Sequence, residues 1–448
     1  MNDTIAAISS AVGVGAISIV RVSGAEAIDI VSKIFTKDIS NEKTHTIHYG
    51  FIVEKASKID EVLVSLMKAP KTFTTEDIVE IHAHGGITTT NKILEILLKN
   101  GCRLAEPGEF TKRAFLNGRI DLTEAEGIID LINAKTDKSR QMAINEVSGK
   151  TTELISDLRK DLAHILSNIE VNLNYPEYED IEEITTNKIS NSMENLNNKI
   201  QKIMEESKNN QLFKSGIKTV IIGRPNVGKS SLLNNLIGEE KAIVTEIQGT
   251  TRDSVEATLI LDNIILNLID TAGIRKTDDV VESIGVERSL KLINEADLVL
   301  FVLDYNDKLT NEDKKILDKL KDKNYITIIN KYDLPKKIDD KGLQNTVYVS
   351  AEKNINIDSI KDKIKEIFNL EKIETEDPSY LSSARALSIL SKIEDAINEV
   401  KQGLNDGYTI DMIEIDLRNI YSLLGEITGE TYEEELIDEL FSRFCVGK

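Results

Sequence analysis

Only two cysteines, Cys102 and Cys445, occur among 448 residues. That scarcity excludes a disulfide framework and fits a reducing, cytoplasmic setting. Long apolar runs are also missing, since none approaches the ~18–20 residues that span a bilayer. No basic segment precedes the small-residue stretch at residues 6–17, which argues against a secretion signal. A positive charge balance is absent too. Lys and Arg number 55 against 76 Asp and Glu, a formal net charge of −21. That balance favours solubility and works against a broad nucleic-acid surface, because phosphate binding draws on clustered Lys and Arg. Any RNA contact is then confined to a local patch or supplied by a basic partner.

What is present describes an ordinary folded protein, 40% apolar and 29% charged. The length is too great for one core and suggests about three domains. Residues 1 to 118 mix short β-rich runs (16–22, 61–67, 77–83) with helical pieces (25–35, 89–100), an α+β texture. Residues 122–174 keep a helical apolar period with no internal proline, and residues 189–209 resume it after Pro176. Residues 217–370 alternate strand and helix. Helical patterning returns over 384–404, 410–423 and 432–444. The simplest division is an N-terminal domain (1–118), a helical domain in two parts (119–214 and 372–448) and a strand–helix domain (215–371) inserted between them. Two independent helical domains are the alternative.

The inserted segment carries the chemistry. Gly223-Arg224-Pro225-Asn226-Val227-Gly228-Lys229-Ser230 reads G-x-x-x-x-G-K-S between a β-rich run at 217–222 and a helix beginning near Ser231. Backbone N–H groups of such a loop converge on phosphate oxygens, the Lys reaches the β/γ-phosphates and the Ser hydroxyl ligates Mg²⁺. Thr245-Glu246-Ile247-Gln248-Gly249-Thr250-Thr251 follows where a first switch belongs, with a threonine as second Mg²⁺ oxygen. A hairpin pattern over 257–269 ends in Asp270-Thr271-Ala272-Gly273, placing a carboxylate and a glycine N–H near the γ-phosphate. An apolar strand at 325–330 delivers Asn330-Lys331-Tyr332-Asp333, and another at 347–349 leads to Ser350-Ala351-Glu352. A carboxylate at Asp333 accepts from guanine N1–H and the 2-amino group, which adenine cannot offer. Backbone N–H groups near Ser350 and Ala351 would meet guanine O6. Together these motifs specify a GTP-binding domain.

Two expected parts are missing. Ile274 stands where Ras-like proteins orient water with a Gln, and no arginine finger is evident beyond the candidates Arg252 and Arg275. Asn226 offers a different solution, because its side-chain carbonyl beside the phosphates suits a hard monovalent cation.

Beyond these motifs, the whole chain resembles the tRNA-modification GTPase family MnmE, also called TrmE. The likeness includes Val20-Arg21-Val22-Ser23-Gly24, Glu80-Ile81-His82-Ala83-His84-Gly85-Gly86 and Pro107-Gly108-Glu109-Phe110-Thr111. It continues through Arg113–Leu122, Gly425-Glu426-Ile427-Thr428-Gly429-Glu430 and the final Phe441-Ser442-Arg443-Phe444-Cys445-Val446-Gly447-Lys448. The resemblance implies an α/β multidomain chain. It has an N-terminal folate-binding-like domain, a long-helix domain and an inserted Ras-like P-loop GTPase domain. It implies a potassium-dependent homodimer with K⁺ on Asn226, Thr245, Ile247 and Thr250, and Mg²⁺ on Ser230 and Thr251. Glu282 of Glu282-Ser283-Ile284-Gly285 would orient water, although the residues alone read it as a solvated carboxylate. A reduced folate would lie on Arg21, Glu80, Arg119 and Lys448, with Arg119 where some members carry Lys. The partner implied is an FAD- and NADH-dependent MnmG-type protein in a heterotetramer acting on tRNA, with no membrane.

Glu80, His82 and His84 alternate along an apparent strand and share a face, so a two-histidine, one-carboxylate metal site is a further arrangement to test. Cys445 does not fit a prenylation signal, because Gly447 is not aliphatic; the family pattern puts it near the modification chemistry. A ribosome-assembly GTPase would share the N-x-G-K-S and N-K-x-D patterns but predicts a basic RNA-binding module after residue 371. An acidic helical tail stands there instead.

Overall fold

Period-2 patterning in the first 104 residues builds a six-stranded sheet in the computed structural model. The structure describes residues 3–174, 186–239, 255–269, 286–370, 381, 383–432 and 434–448. Strands β1 (Ile5–Ile8), β2 (Ile17–Ser23), β3 (Thr46–Glu54), β4 (Ser57–Met67), β5 (Ile78–His84) and β6 (Arg103–Leu104) run in the order β3-β4-β5-β2-β1-β6. Neighbours are antiparallel except β1 with β6. Helices α1 (Ala27–Ile34) and α2 (Ile87–Lys99) contribute Ile30, Val31, Ile93 and Leu97 to a core with Val20, Val22, Val64 and Ile81. Each such fully buried side chain contributes roughly 1.5–3 kcal/mol. Sequence patterning foresees β2, β4 and β5 but not β1, β3 or β6. Ile-Ala-Ala-Ile is too short to show alternation, and the exposed positions of β3 blur its period.

The helical run at 122–174 is not one helix. It resolves into α4 (Leu122–Asn133), α5 (Asp137–Val147) and α6 (Lys150–Asn174), preceded by α3 (Glu109–Leu116) and followed by α7 (Thr186–Ser215). Thr136 starts α5 with a reciprocal capping box to Ser139, and Ser148 ends it. The apolar period gives no sign of these breaks.

The strand–helix segment comprises β7 (Ile217–Ile222), α8 (Lys229–Glu239), β8 (Val255–Leu261), β9 (Ile264–Ile269), α9 (Val286–Glu295), β10 (Leu298–Asp304), α10 (Asn311–Leu320), β11 (Tyr325–Asn330), β12 (Thr346–Tyr348) and α11 (Asp358–Ile367). Its sheet has the order β12-β11-β10-β7-β9-β8, parallel except where β8 pairs with β9. β11 is buried throughout and β10 in all but its last residue, which is why both read as continuous apolar runs. β7 lies at the centre, where chain order reverses, the place in an open α/β sheet where ligands bind beyond the strand ends. The order and the single antiparallel edge are those of a Ras-like P-loop domain.

Helices α12 (Ala384–Asn405), α13 (Ile410–Thr428) and α14 (Glu434–Ser442) complete the described chain. It divides into two compact units, one of Met1–Ile129, Thr152–Glu170 and Leu417–Lys448, the other of Asp130–Thr151 and Val171–Asp416. In the first, α14 brings Ile437 and Phe441 against Phe115, Leu122 and Ala125. In the second, α7 packs along α12, with a Lys401–Glu194 ion pair and a 2.9 Å bond from Gln201 Nε2 to Glu394 Oε1. Helical stretches from before and after the strand–helix segment therefore pair within this unit. Phe213 of α7 and Met142 of α5 lie in the same core as Ile217, Leu266 and Leu300 of the sheet. Among the described residues no helix is long and apolar enough to cross a membrane.

Candidate functional site

The ends of β7, β10 and β11 lie side by side, with Ile222 opposite Phe301 and Asp304 opposite Asn330. That register delivers Gly223, Asp304 and Asn330 to one edge. The loop from Gly223 to Gly228 turns there into α8, and a helix N-terminus at the end of such a loop suits an anion. Asn226 sits at φ 65°, a left-handed conformation that asparagine tolerates better than most residues. Gly228 has φ 95°, and a Cβ there would collide with Asn330 Nδ2. Lys229 Nζ is held by the carbonyls of Gly223 (3.0 Å) and Arg224 (2.8 Å). Ser230 and Ser231 follow it in the first turn of α8.

Asn330 ties this loop to the other end of the site. It is 2% exposed; its Nδ2 donates to Val227 O at 2.9 Å and its Oδ1 accepts from Ala351 N at 2.9 Å. Lys331 reinforces the link. Its Nζ donates to Asn226 O at 2.8 Å and Asp304 Oδ2 at 2.7 Å, contacts that offset a left-handed backbone at φ 63°. Asp333 Oδ1 accepts from Ser350 Oγ at 2.6 Å, and Oδ2 pairs with Lys353 Nζ at 3.1 Å. The Ser350 hydroxyl first, then Lys353, hold the Asp333 carboxyl below the usual carboxylate range. It stands as an ionised double acceptor, the form that two guanine N–H donors need. Thr245, Glu246, Ile247, Gln248, Gly249, Thr250, Thr251, Asp270, Thr271, Ala272, Gly273 and Glu282 lie outside the described residues, as do Arg252, Ile274 and Arg275.

Sequence reading gave no role to Arg224. Its guanidinium bonds Asp313 (Nε to Oδ2, 3.0 Å), Asp307 Oδ2 (3.0 Å) and Lys308 O (3.3 Å). Asp313 is wholly buried and also closes the capping box of α10 with Thr310. This arginine straps the phosphate loop to the β10–α10 connection. Arg224→Ala is expected to destabilise the nucleotide domain by about 2–3 kcal/mol, less than the ~3–5 of a wholly buried broken pair. The denaturant midpoint at which GDP binding is lost should fall, and an unchanged midpoint would discard the strap.

A second cluster lies in the N-terminal sheet. Arg21 and Glu80 are direct cross-strand partners, with Nε to Oε1 at 2.8 Å. Arg21 Nη1 also donates to Gly447 O at 3.3 Å, and Phe110 N donates to Lys448 O at 3.2 Å. The Cys445–Lys448 segment is thus seated on β1 and the start of α3, with Val446 bridged to Pro107 and Ser9 Oγ bonded to Gly447 O at 3.0 Å. Gly447 has φ 94°, and any Cβ would strike Ile8 O. Arg119 donates from Nη1 to Phe73 O at 3.1 Å and lies over the Phe73 ring at 4.8 Å. Arg21 lies over the Phe110 ring at 5.6 Å. Phe73 packs against a small cluster of Ile5, Ala7, Ala105 and Phe110. Arg21 and Glu80 therefore pair directly, Lys448 is brought to the same edge by its backbone and that of Gly447, and Arg119 stands over Phe73 of the adjoining apolar cluster. No signal in the sequence marks Phe73 for this. Cys445 is exposed.

The shared face of Glu80, His82 and His84 does not form a metal site. His84 Nδ1 bonds Asp60 Oδ1 at 2.7 Å, and His82 Nε2 pairs with Ser65 Oγ at 3.1 Å. Among the described residues no three His, Cys, Asp or Glu side chains gather to hold a metal ion.

Comparison with known proteins agrees with this architecture. A family model described as the MnmE helical domain matches residues 122–445, and one described as GTP-binding protein TrmE N-terminus matches residues 4–119. The tRNA modification GTPase MnmE of Streptococcus thermophilus is 50% identical, over 100% of this chain and 98% of its own length. Its counterparts in Bacillus cytotoxicus and Lactococcus lactis are each 49% identical, over 100% of this chain and 99% and 98% of theirs. With a phosphate loop tied through Asn330 to the loop after β12 and matches that run end to end, the chain belongs to the MnmE family of tRNA modification GTPases.

Proposed function

We propose that this chain is a potassium-dependent GTPase that acts on tRNA together with an FAD- and NADH-dependent MnmG-type protein. The pair would install an aminomethyl-type group at C5 of the wobble uridine of certain tRNAs. One observation carries the GTPase half of the reading. Buried Asn330 bonds both Val227 O and Ala351 N, joining the phosphate loop to the base-reading Asp333 and Ser350 in one rigid site. The tRNA half is supported by the named activity of relatives about half identical over the whole chain.

In this reading Lys229 contacts the β/γ-phosphates. Ser230 and Thr251 would hold Mg²⁺, while Asn226, Thr245, Ile247 and Thr250 would hold K⁺. The donors are all oxygens, as hard cations require, and Ser230 stands in the first turn of α8 beside Lys229. Those cations would supply neutralisation of charge on the transferring phosphoryl group. Glu282 orients the attacking water.

Arg21, Glu80, Arg119 and Lys448 form the site for a reduced folate, whose methylene form would donate the one-carbon unit. Guanidinium and ammonium groups suit its carboxylates, and Glu80 suits the N–H donors of its ring. Cys445, exposed beside this cluster, is the candidate for a role in the modification chemistry. The chain would work in the cytoplasm as a homodimer, in a heterotetramer with its partner. A net charge of −21 fits a partner that supplies much of the tRNA surface. Nucleoside analysis of tRNA from cells lacking this chain should show loss of the C5-substituted wobble uridine and its recovery when the chain is returned. An unchanged nucleoside profile would reject the reading.

A further inference from the structure

Arg119 is exposed, yet the ground beneath it is unusually well secured. Its backbone bond and its stacking contact both go to Phe73, in the loop between β4 and β5. Hydrogen bonds pin that loop on either side of Phe73. Thr72 Oγ1 donates to Glu76 O at 2.6 Å, and Asn117 Nδ2 donates to Thr74 O at 2.7 Å. Thr74 Oγ1 pairs with Ser23 Oγ at 2.7 Å, and Glu76 accepts from Arg113 Nη1 at 3.0 Å. Thr74 is wholly buried and Arg113 is 1% exposed. An exposed arginine with a merely solvating role needs no such seat. A guanidinium that must meet a ligand in a set geometry does, because binding groups work when a supporting layer locks them.

We propose that Phe73 is a positioning residue for ligand binding, acting through Arg119. The inference rests on the reduced-folate reading of this cluster and extends it to a residue outside the four. The Phe73 ring holds the guanidinium plane from one side, and the Phe73 carbonyl takes one of its five N–H donors. The remaining donors form a fork for a carboxylate of the ligand. The Phe110 ring stands beneath Arg21 at 5.6 Å, so both guanidinium groups lie over rings of one apolar cluster.

The test is equilibrium binding of 5-formyltetrahydrofolate to the full-length chain by calorimetry. Phe73→Leu, which keeps apolar bulk and loses the ring face, should raise Kd about 5-fold or more. Phe73→Tyr should stay within about 2-fold of the unaltered protein, because its ring face is intact. GTP hydrolysis should not change in either variant. The double variant Phe73→Leu with Arg119→Ala should bind no more weakly than Arg119→Ala alone, as expected when one residue acts through the other. Multiplied losses in the double variant, or an unaltered Kd in Phe73→Leu, would overturn the inference. If Phe73→Leu does not fold, Phe73→Met replaces it with the same expectations. Failure of the unaltered protein to bind the folate would instead overturn the ligand reading itself.

Discussion

Asp333→Asn is expected to lower GTP affinity on the order of 10³-fold and to raise affinity for xanthosine triphosphate. In the proposed reading the carboxylate would offer two acceptors to two guanine donors, N1–H and the 2-amino group. An asparagine in its place presents one acceptor and one donor, so an N–H group faces an N–H group. Sites built on hydrogen-bonding a substrate reject a mismatched analogue by ~10⁴–10⁵-fold, which sets the scale. Xanthine carries a carbonyl at C2, so the same asparagine suits it. The substitution also disturbs the Lys353 ion pair, but Lys353 is 59% exposed. A surface pair of that kind is worth about 0–1 kcal/mol, too little for the effect. Ser350 Oγ can still donate to the amide oxygen, which leaves the local fold in place. Competition binding with GTP and xanthosine triphosphate decides the matter, and an unchanged guanine preference would remove Asp333 from base recognition.

The motifs around this residue were legible for a physical reason. Each stands at the end of an apolar run that can only be a buried parallel strand, so Asn330 and Asp304 are placed as soon as β10 and β11 are. The pairing of Arg21 with Glu80 was less accessible, because it depends on a register between strands 59 residues apart. Period 2 put Glu80, His82 and His84 on one face, but nothing local showed that Asp60 takes His84. Arg224 and Asp313 are 89 residues apart, and Phe73 and Arg119 are 46 apart. Such pairs are set by how elements pack, which one sequence does not encode in any window. The breaks within residues 122–174 were hidden differently, since capping by Thr136 leaves the apolar period unbroken. The switch residues and Glu282 lie outside the described residues, so their roles rest on motif and family alone.

GTP hydrolysis is expected to run at least ~10-fold faster in KCl than in NaCl at equal ionic strength. No arginine finger is evident in the sequence beyond the candidates Arg252 and Arg275. Arginine fingers contribute ~10³–10⁵ to such reactions, and Ile274 also leaves the Ras-type glutamine position without a polar group. Arg224 is close to the phosphates in sequence but is tied to Asp313, Asp307 and Lys308 O, so it is not available as a finger. Lys331 holds the backbone carbonyl of Asn226, and the Asn226 side-chain oxygen is the group the potassium proposal uses. Asn226→Gly isolates that oxygen, because glycine keeps the left-handed φ of 65° without strain. The variant should bind GDP and hydrolyse GTP at the NaCl rate in either salt. Glu282→Ala should instead slow turnover by ~10²–10⁴-fold in both salts, as loss of a proton-transfer or water-orienting group does. Affinity should persist. The two variants thus separate a missing charge from a missing base, and equal rates in the two salts for the unaltered protein would end the potassium assignment.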